Sequence, residues 1–396
     1  MTDDAPGSAA LDGTQTLDEI FMAKALALAE LGLYTTDPNP RVGCVLVRDG
    51  QVIGEGWHVR AGEPHAEVLA LRSAGGRARG ATAYVTLEPC GHTGRTPPCA
   101  DALIAAGVSR VVCAAIDPNP KVSGGGVQRL KAAGIAVSSG LRAEAARDLN
   151  VGFFSRFERG RPFIRLKLAM SLDARTAPAA GGQLWITGEG ARADVQTWRA
   201  RSSAVLTGAG TVRIDDPRLD VRLAYGPWVR QPLRVVLDSE LSCPAHARVF
   251  AGGNALIFAA SDAAGDAAGD AAAGAAGDAA DDATRRPSDE VGKVAVQRVP
   301  RSARGLDLHA VLGHLTALEV NELFVECGPH LAAAFLESGL VDELILYVAP
   351  VLLGADAAPL AALGGLDTAN PLMRFDFREQ RLIQNDLRLV LTPKRN

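Results

Sequence analysis

Short apolar, strand-like runs alternate with helix-like segments along most of this chain. ATAYVTLE (81–88) reads as a strand, CADALIAAG (99–107) as a helix and SRVVCAAID (109–117) as a strand. VQRLKAAGIAV (127–137) adds a further helix and strand. Such alternation specifies helices packed on a partly parallel sheet, an α/β architecture. Upstream, TLDEIFMAKALALAELGL (16–33) has helical apolar spacing, and HAEVLALRSAGG (65–76) is a short helix with a glycine stop. VGCVLVRDGQVIGEGWH (42–58) is two strands around Asp49-Gly50, a hairpin signal. The helical stretch RAEAARDLNVGFFSRFERG (142–160) leads into a second cycle. There FIRLKLAMSLD, SAVLTGAG, LRVVLDSEL, NALIFAAS, NELFVECG and DELILYVAPVLLG read as strands, and GEGARADVQTWRARS, DLHAVLGHLTALEV and PHLAAAFLESG as helices. LIQNDLRLVLTPK is expected to close the sheet as an edge strand. At 396 residues the chain exceeds one ordinary core, and it reads as two α/β units joined near residues 150–160. No sequence repeat relates them.

Composition removes several function classes. The net charge of −4 gives no basic footprint for nucleic acid or an anionic membrane. No apolar run reaches about 18 residues, so no spanning segment is expected. MTDDAPGSAALDGTQ lacks a basic n-region and an apolar h-region and reads as a flexible tail over residues 1–16. DAAGDAAGDAAAGAAGDAADDATRRPSDE (262–290) has almost nothing large enough to pack and reads as a disordered insertion. Six cysteines are no disulfide framework, so the cytoplasm is the expected compartment. Cys44, Cys113 and Cys327 read as small buried hydrophobes.

Two of the remaining cysteines stand in TLEPCGHTGRTPPCA (86–100). Cys90 follows Pro89 and Cys99 follows Pro98, each where a helix is expected to start. A helix N-terminus lowers the pKa of a thiol toward its ligand form. His65 likewise follows Pro64 and opens a helix, with Glu67 two residues on. One nitrogen and two sulfurs are a donor set that a catalytic zinc uses when water fills its fourth position. Zinc lowers the pKa of such water to about 7. Residues i and i+2 point to different sides of a helix, so Glu67 is expected to shuttle protons and not to bind the metal. This matches the histidine–glutamate and proline–cysteine parts of the zinc deaminase signature, with eight residues between the cysteines instead of two.

PHAE, TLEPCGHTGRTPPC and the upstream DPNPRVGCVLV together resemble the bifunctional riboflavin-biosynthesis deaminase–reductase family, the RibD/RibG type, whose loop has this longer spacing. The resemblance implies a cytidine-deaminase-like α/β/α sandwich over residues 17–150. It implies zinc on His65, Cys90 and Cys99, Glu67 as the catalytic proton shuttle, and substrate contacts at Asn39, His58, His92, Arg95 and Thr96. Gly94-Arg95-Thr96 offers amides, a cation and a hydroxyl, which suits a sugar phosphate.

In the second unit, ECGPH places a glycine turn between strand and helix, and GAGT follows another strand. Alone, each is better read as a plain turn; the dinucleotide fingerprint G-x-G-x-x-G is absent. In order, however, RPFIRLKLAMSLD, WITG, DVQTWRARSSAVLTGAGTVRIDDPRLDVR, ELFVECGP and VDELILYVAPVLLG resemble the reductase half of the same family over residues 160–396. That implies a dihydrofolate-reductase-like domain. NADPH would contact Ala169, Trp185, Thr211, Asp215 and the turn Gly328, Pro329, His330, Leu331, Ala332, Ala333, Ala334. Substrate would contact Gln183, Arg199, Leu219, Arg222 and Glu326, with Arg199 and Arg222 suited to a ribose phosphate. Gln183 stands where the family commonly has a small hydroxyl residue, and Cys327 where a second glycine is usual.

The implied activity is deamination of a ribosylaminopyrimidinone phosphate, then NADPH reduction of its ribosyl chain. A tRNA-type nucleic-acid deaminase would show the short cysteine spacing and a basic surface, and neither is evident in the sequence. A non-catalytic zinc module would leave Glu67 without a task. The expected partner is a small phosphorylated pyrimidine, with neither nucleic acid nor membrane; the oligomeric state stays open, a homo-oligomer included.

Overall fold

The computed structural model describes residues 13–91, 98–179, 184–222, 229–262, 294–365 and 372–394. Most of the expected tail, and residues 263–290 of the expected insertion, therefore lie outside the described residues. The chain divides into two compact units, Met1–Gly160 and Arg161–Asn396.

The first unit runs α1 (Gly13–Glu30), β1 (Gly43–Arg48), β2 (Gln51–Trp57), α2 (Ala66–Ala74), β3 (Thr82–Leu87), α3 (Cys99–Ala105), β4 (Arg110–Ala115), α4 (Gly125–Ala132), β5 (Ala136–Ser139), α5 (Ala143–Leu149) and α6 (Val151–Arg159). The first helix begins at Gly13, so residues 13–16 belong to it and not to a tail. The sheet order is β2-β1-β3-β4-β5. The hairpin pair is antiparallel, and β3, β4 and β5 are parallel. Asp49 and Gly50 both have positive φ, 51° and 72°, which suits a two-residue hairpin loop. Neighbouring strand residues feed opposite cores. Leu46, Val85, Val111 and Cys113 pack with Leu103 and Leu130 on one face. Val45, Tyr84, Val112 and Ala114 pack with Phe21, Met22, Phe153 and Phe154 on the other. A sheet covered on both sides gives the near-continuous apolar strands seen in the sequence. The expected helix over 142–160 is broken at Asn150. Its side chain accepts from the Arg41 N–H (2.8 Å) and donates to the Arg41 carbonyl (3.0 Å), which ties down the loop carrying Asn39.

The second unit contains β6 (Phe163–Met170), β7 (Arg175–Ala177), α7 (Glu189–Arg201), β8 (Ala204–Gly208), α8 (Ala209–Asp215), β9 (Leu233–Leu237), β10 (Ala255–Ala260), β11 (Ala295–Val299), β12 (Arg301–Ser302), β13 (Gly305–Leu306), α9 (Leu308–Ala317), β14 (Glu322–Glu326), α10 (Pro329–Glu337), β15 (Glu343–Val348), β16 (Ala358–Pro359), β17 (Phe375–Ile383) and β18 (Asp386–Pro393). Nine strands form one sheet in the order β11-β10-β9-β8-β14-β6-β15-β18-β17. It is parallel from β11 to β15 and antiparallel from there to β17. Leu166, Leu206, Leu323 and Val325 meet α9 and α10 through Leu315 and Phe335. Val205, Val236, Phe324 and Tyr347 line the opposite face with Val195 of α7. Two expectations are corrected. The GAGT segment is not a simple turn, because Ala209 opens α8 directly. The strand expected at the edge, β18, lies between β15 and β17, and β17 is the edge. Among the described residues no helix is long and apolar enough to cross a membrane.

Candidate active sites

In the first unit, three elements bring their ends together. His65 is the N-cap of α2, extended at φ −71° and ψ 164° after Pro64. Cys99 is the first residue of α3, after Pro98. Cys90 follows β3 and is held from both sides. Its sulfur accepts the Cys99 N–H (3.3 Å), and its carbonyl accepts the Ala100 N–H (3.2 Å). His65 Nδ1 lies 3.2 Å from Cys99 Sγ and 3.7 Å from Cys90 Sγ, and the three donor atoms lie within 4.8 Å of one another. Zinc bonds of about 2.0–2.3 Å span such a triangle, so the residues fit the metal. The Cys90 thiol is pulled down to about 4, first by the hydrogen bond from the Cys99 thiol and also by His65 and the Cys99 N–H. The reciprocal hydrogen bond to Cys90, with burial, pushes the Cys99 thiol up. Hydrogen bonding to Cys90 raises the His65 pKa above its ordinary value.

Glu67 sits in the first turn of α2, 3 % exposed, and burial pushes its carboxyl above the usual range. The Asn39 amide N–H donates to His58 Nε2 (3.0 Å), and His58 Nδ1–H donates to the Pro64 carbonyl (3.3 Å). The buried His58 ring packs edge-on against His65, centroids 5.3 Å apart, and burial pushes its pKa down to about 4. His58 therefore stands neutral behind His65. His92, Arg95 and Thr96 lie outside the described residues. Asp117 was not singled out from the sequence. It is a buried carboxylate that burial, first of all, pushes up to about 6, and Cys90 adds to the shift. The available signal was the phrase DPNP, which occurs at 37–40 and again at 117–120.

The second unit holds a cavity of about 760 Å³ at the C-terminal ends of β6, β8 and β14. Such a position is where parallel sheets commonly bind ligands. Ala169, Trp185, Thr211, Asp215 and Gly328 to Leu331 line it, as do Arg199, Leu219, Arg222 and Glu326. Ala332, Ala333 and Ala334 do not: they are buried in α10, and Ala332 and Ala334 pack in the core. Gln183 lies outside the described residues. Gly328 caps α10, with Pro329 in its first turn, so the N-terminus of this helix lies at the cavity beside Gly208 and Thr211. A Cβ on Gly208 would lie 3.3 Å from the Leu331 side chain, which makes the two turns close neighbours.

Arg199 is buried and doubly bonded to Glu326, at 2.5 and 2.9 Å, and also donates to the Asp220 carbonyl. Its guanidinium, at the wall of the cavity, pairs with Glu326. Arg222 is half exposed and pairs only with Asp220 among the described ion pairs, which leaves its outer face open to an anion. Burial works to raise the Glu326 carboxyl, but Arg199, Lys167 and Arg222 hold it below the usual range. Lys167 was missed in the sequence, because one lysine in an apolar strand reads as a solvated face. It lines the cavity, and burial lowers its pKa against the pull of Glu326.

Comparison with known proteins agrees with both halves. A family model described as the cytidine and deoxycytidylate deaminase zinc-binding region matches residues 15–115, and one described as the RibD C-terminal domain matches residues 162–389. The riboflavin biosynthesis protein RibD of Escherichia coli (strain K12) is 48% identical over 385 residues, covering 94% of this chain and 99% of that protein. That of Haemophilus influenzae is 43% identical, covering 95% and 98%. Among solved structures, Acinetobacter baumannii RibD superposes with a TM-score of 0.84 at 42% identity, covering 96% of this chain and all of that one. A Thermotoga maritima diaminohydroxyphosphoribosylaminopyrimidine deaminase/5-amino-6-(5-phosphoribosylamino)uracil reductase gives 0.79 at 31%, again covering 96% and 100%. With relatives this similar across both units, the chain belongs to the RibD family, which joins a zinc-dependent deaminase to a reductase in riboflavin biosynthesis.

Proposed function

We propose that the first unit deaminates 2,5-diamino-6-ribosylamino-4(3H)-pyrimidinone 5′-phosphate and that the second reduces the ribosyl chain of the product to ribityl. The observation that carries the first step is the convergence of His65, Cys90 and Cys99 beside a buried Glu67. Zinc held by these three residues supplies a water made acidic near neutral pH. Glu67, whose carboxyl is pushed up by burial, takes a proton at its carboxylate and passes it to the departing amino group. His58, held by Asn39, packs against the imidazole of His65 and steadies it.

NADPH supplies the hydride for the second step. The N–H groups at the start of α10 suit its pyrophosphate, and Thr211 and Asp215 border the same wall. Arg222 offers its cation to the substrate phosphate. Lys167 stands beside Glu326 at the strand ends, and with its pKa lowered by burial it is suited to give a proton to the sugar oxygen as the ring opens. Arg199 orients Glu326. We place the enzyme in the cytoplasm, in keeping with six free cysteines. The test is to supply the diamino substrate with NADPH and follow ammonia and NADPH oxidation together. Ammonia should appear first, with one NADPH consumed per ammonia released. NADPH oxidation without ammonia, or ammonia alone, would refute the paired activity.

A further inference from the structure

We infer that Glu88 is a positioning residue of the deaminase site: it docks the N-terminus of α4 under the Cys90 turn and so fixes Cys90 against Cys99. The inference rests on the reading of those cysteines as metal ligands. Glu88 directly follows β3, and its own N–H extends the strand ladder to the Ala115 carbonyl (2.9 Å). Its side chain turns inward and is 4 % exposed. One carboxylate oxygen accepts the main-chain N–H groups of Gly124 (2.9 Å) and, at longer range, Asp117 (3.4 Å). The other accepts the N–H of Val127 (3.1 Å). These donors include the cap and first turn of α4, whose orphan N–H groups need an acceptor and whose dipole favours an anion.

The consequence falls on the next three residues. Pro89, Cys90 and Gly91 lie main chain to main chain against the start of α4. A Cβ at Gly126 would fall 1.7 Å from the Pro89 carbonyl oxygen, and one at Gly91 would fall 2.7 Å from the Gly126 nitrogen. No larger residue fits either position without moving the Cys90 turn. Arg129, on the same helix, donates to the Gly91 carbonyl (3.3 Å) and to Asp101 in the first turn of α3 (2.8 Å). Helix α4 thus holds the segment of Cys90 and the helix of Cys99 at once, and Glu88 is the buried group that seats it. Among the described residues Glu88 bonds only main-chain amides, and it reaches the chemistry through Cys90. Replacing one oxygen by an amide NH2 in Glu88→Gln sets a donor against a donor and should loosen that seat.

The experiment uses the full-length protein loaded with cobalt(II). The readouts are the visible d–d and thiolate-to-cobalt bands, metal affinity by chelator competition, and kcat and KM for deamination. Reduction of the deaminated substrate serves as the control. Glu88→Gln should shift the bands, weaken metal binding by about 10- to 100-fold, and lower deaminase kcat with KM near wild type, while reduction is unchanged. Gly126→Ala should produce the same shift from the other side of the contact with Glu88 intact, and it decides the matter if Glu88→Gln does not fold. Unchanged bands and affinity in the folded variants, even with a lower melting temperature, would overturn the inference and leave Glu88 a structural cap. If Cys90→Ser binds cobalt as wild type does, the ligand assignment fails, and this inference with it.

Discussion

Individual residues divide into those that carry chemistry and those that hold them. No helix begins at Cys90, which follows β3, contrary to expectation, but His65, Cys99 and Glu67 stand at helix starts and made the candidate set, Cys90 included, legible in the sequence. Asp117 and Lys167 were not legible, because burial creates their significance and burial is set by distant packing. Glu67→Gln keeps the shape and removes the base. It should leave zinc at one per chain and cut deamination by about 10²- to 10⁴-fold, read by metal analysis beside ammonia release. A different residue tests the frame. Asp18 on α1 accepts from the Tyr84 hydroxyl (2.5 Å) and two nitrogens of Arg110 (2.9 and 2.6 Å). The Arg110 hydrogen bond, against burial, holds its carboxyl below the ordinary 3.8. A depressed pKa stabilises the fold above the unfolded value, and that stability is lost as pH falls through the folded one. Asp18→Asn should therefore destabilise the first unit by about 1 kcal/mol at neutral pH. The melting-temperature gap from wild type should close as the pH falls below the ordinary 3.8 and through the lowered folded value.

At the scale of elements, the alternating pattern gave the parallel cores because strands covered on both faces are apolar runs bounded by turns. It failed where that condition fails. Strand β17 is exposed along nearly its whole length, with Phe377 and Leu382 open to solvent, so its sequence FDFREQRLI carries no inside and outside to read. The α8 helix was hidden because GAGT has the composition of a turn, while its role comes from facing α10 across the cavity. That facing is testable. Gly208 has φ −104°, so any residue can adopt its backbone, and only Leu331 limits the space. Gly208→Val should narrow the gap and raise KM for NADPH by about tenfold, roughly 1.4 kcal/mol. Deamination should be untouched. Steady-state kinetics of each half-reaction check this, and an unchanged KM would mean that the cofactor does not pass between α8 and α10.

Over the whole molecule, two α/β units each carry a full set of candidate groups. The donor triangle and Glu67 come from residues 65–99, and the cavity is lined from Lys167 onward. The order of the two matches in the chain, deaminase then reductase, is the order in which the proposed reactions run. That each unit has its own core on both faces of its own sheet explains why the two halves could be read separately from sequence. The central claim is that two chemistries reside in two independent sites of one chain. Its most direct test is complementation between full-length proteins with one defect each. Glu67→Gln should oxidise NADPH when given the deaminated substrate but release ammonia from the diamino substrate at least about 10²-fold more slowly than wild type. Lys167→Met should release ammonia at the wild-type rate and oxidise little or no NADPH. An equimolar mixture given the diamino substrate should recover NADPH oxidation, because the deaminated product diffuses from one protein to the other. Loss of both half-reactions in either folded variant, or no recovery in the mixture while each retains its own half-reaction, would contradict the account.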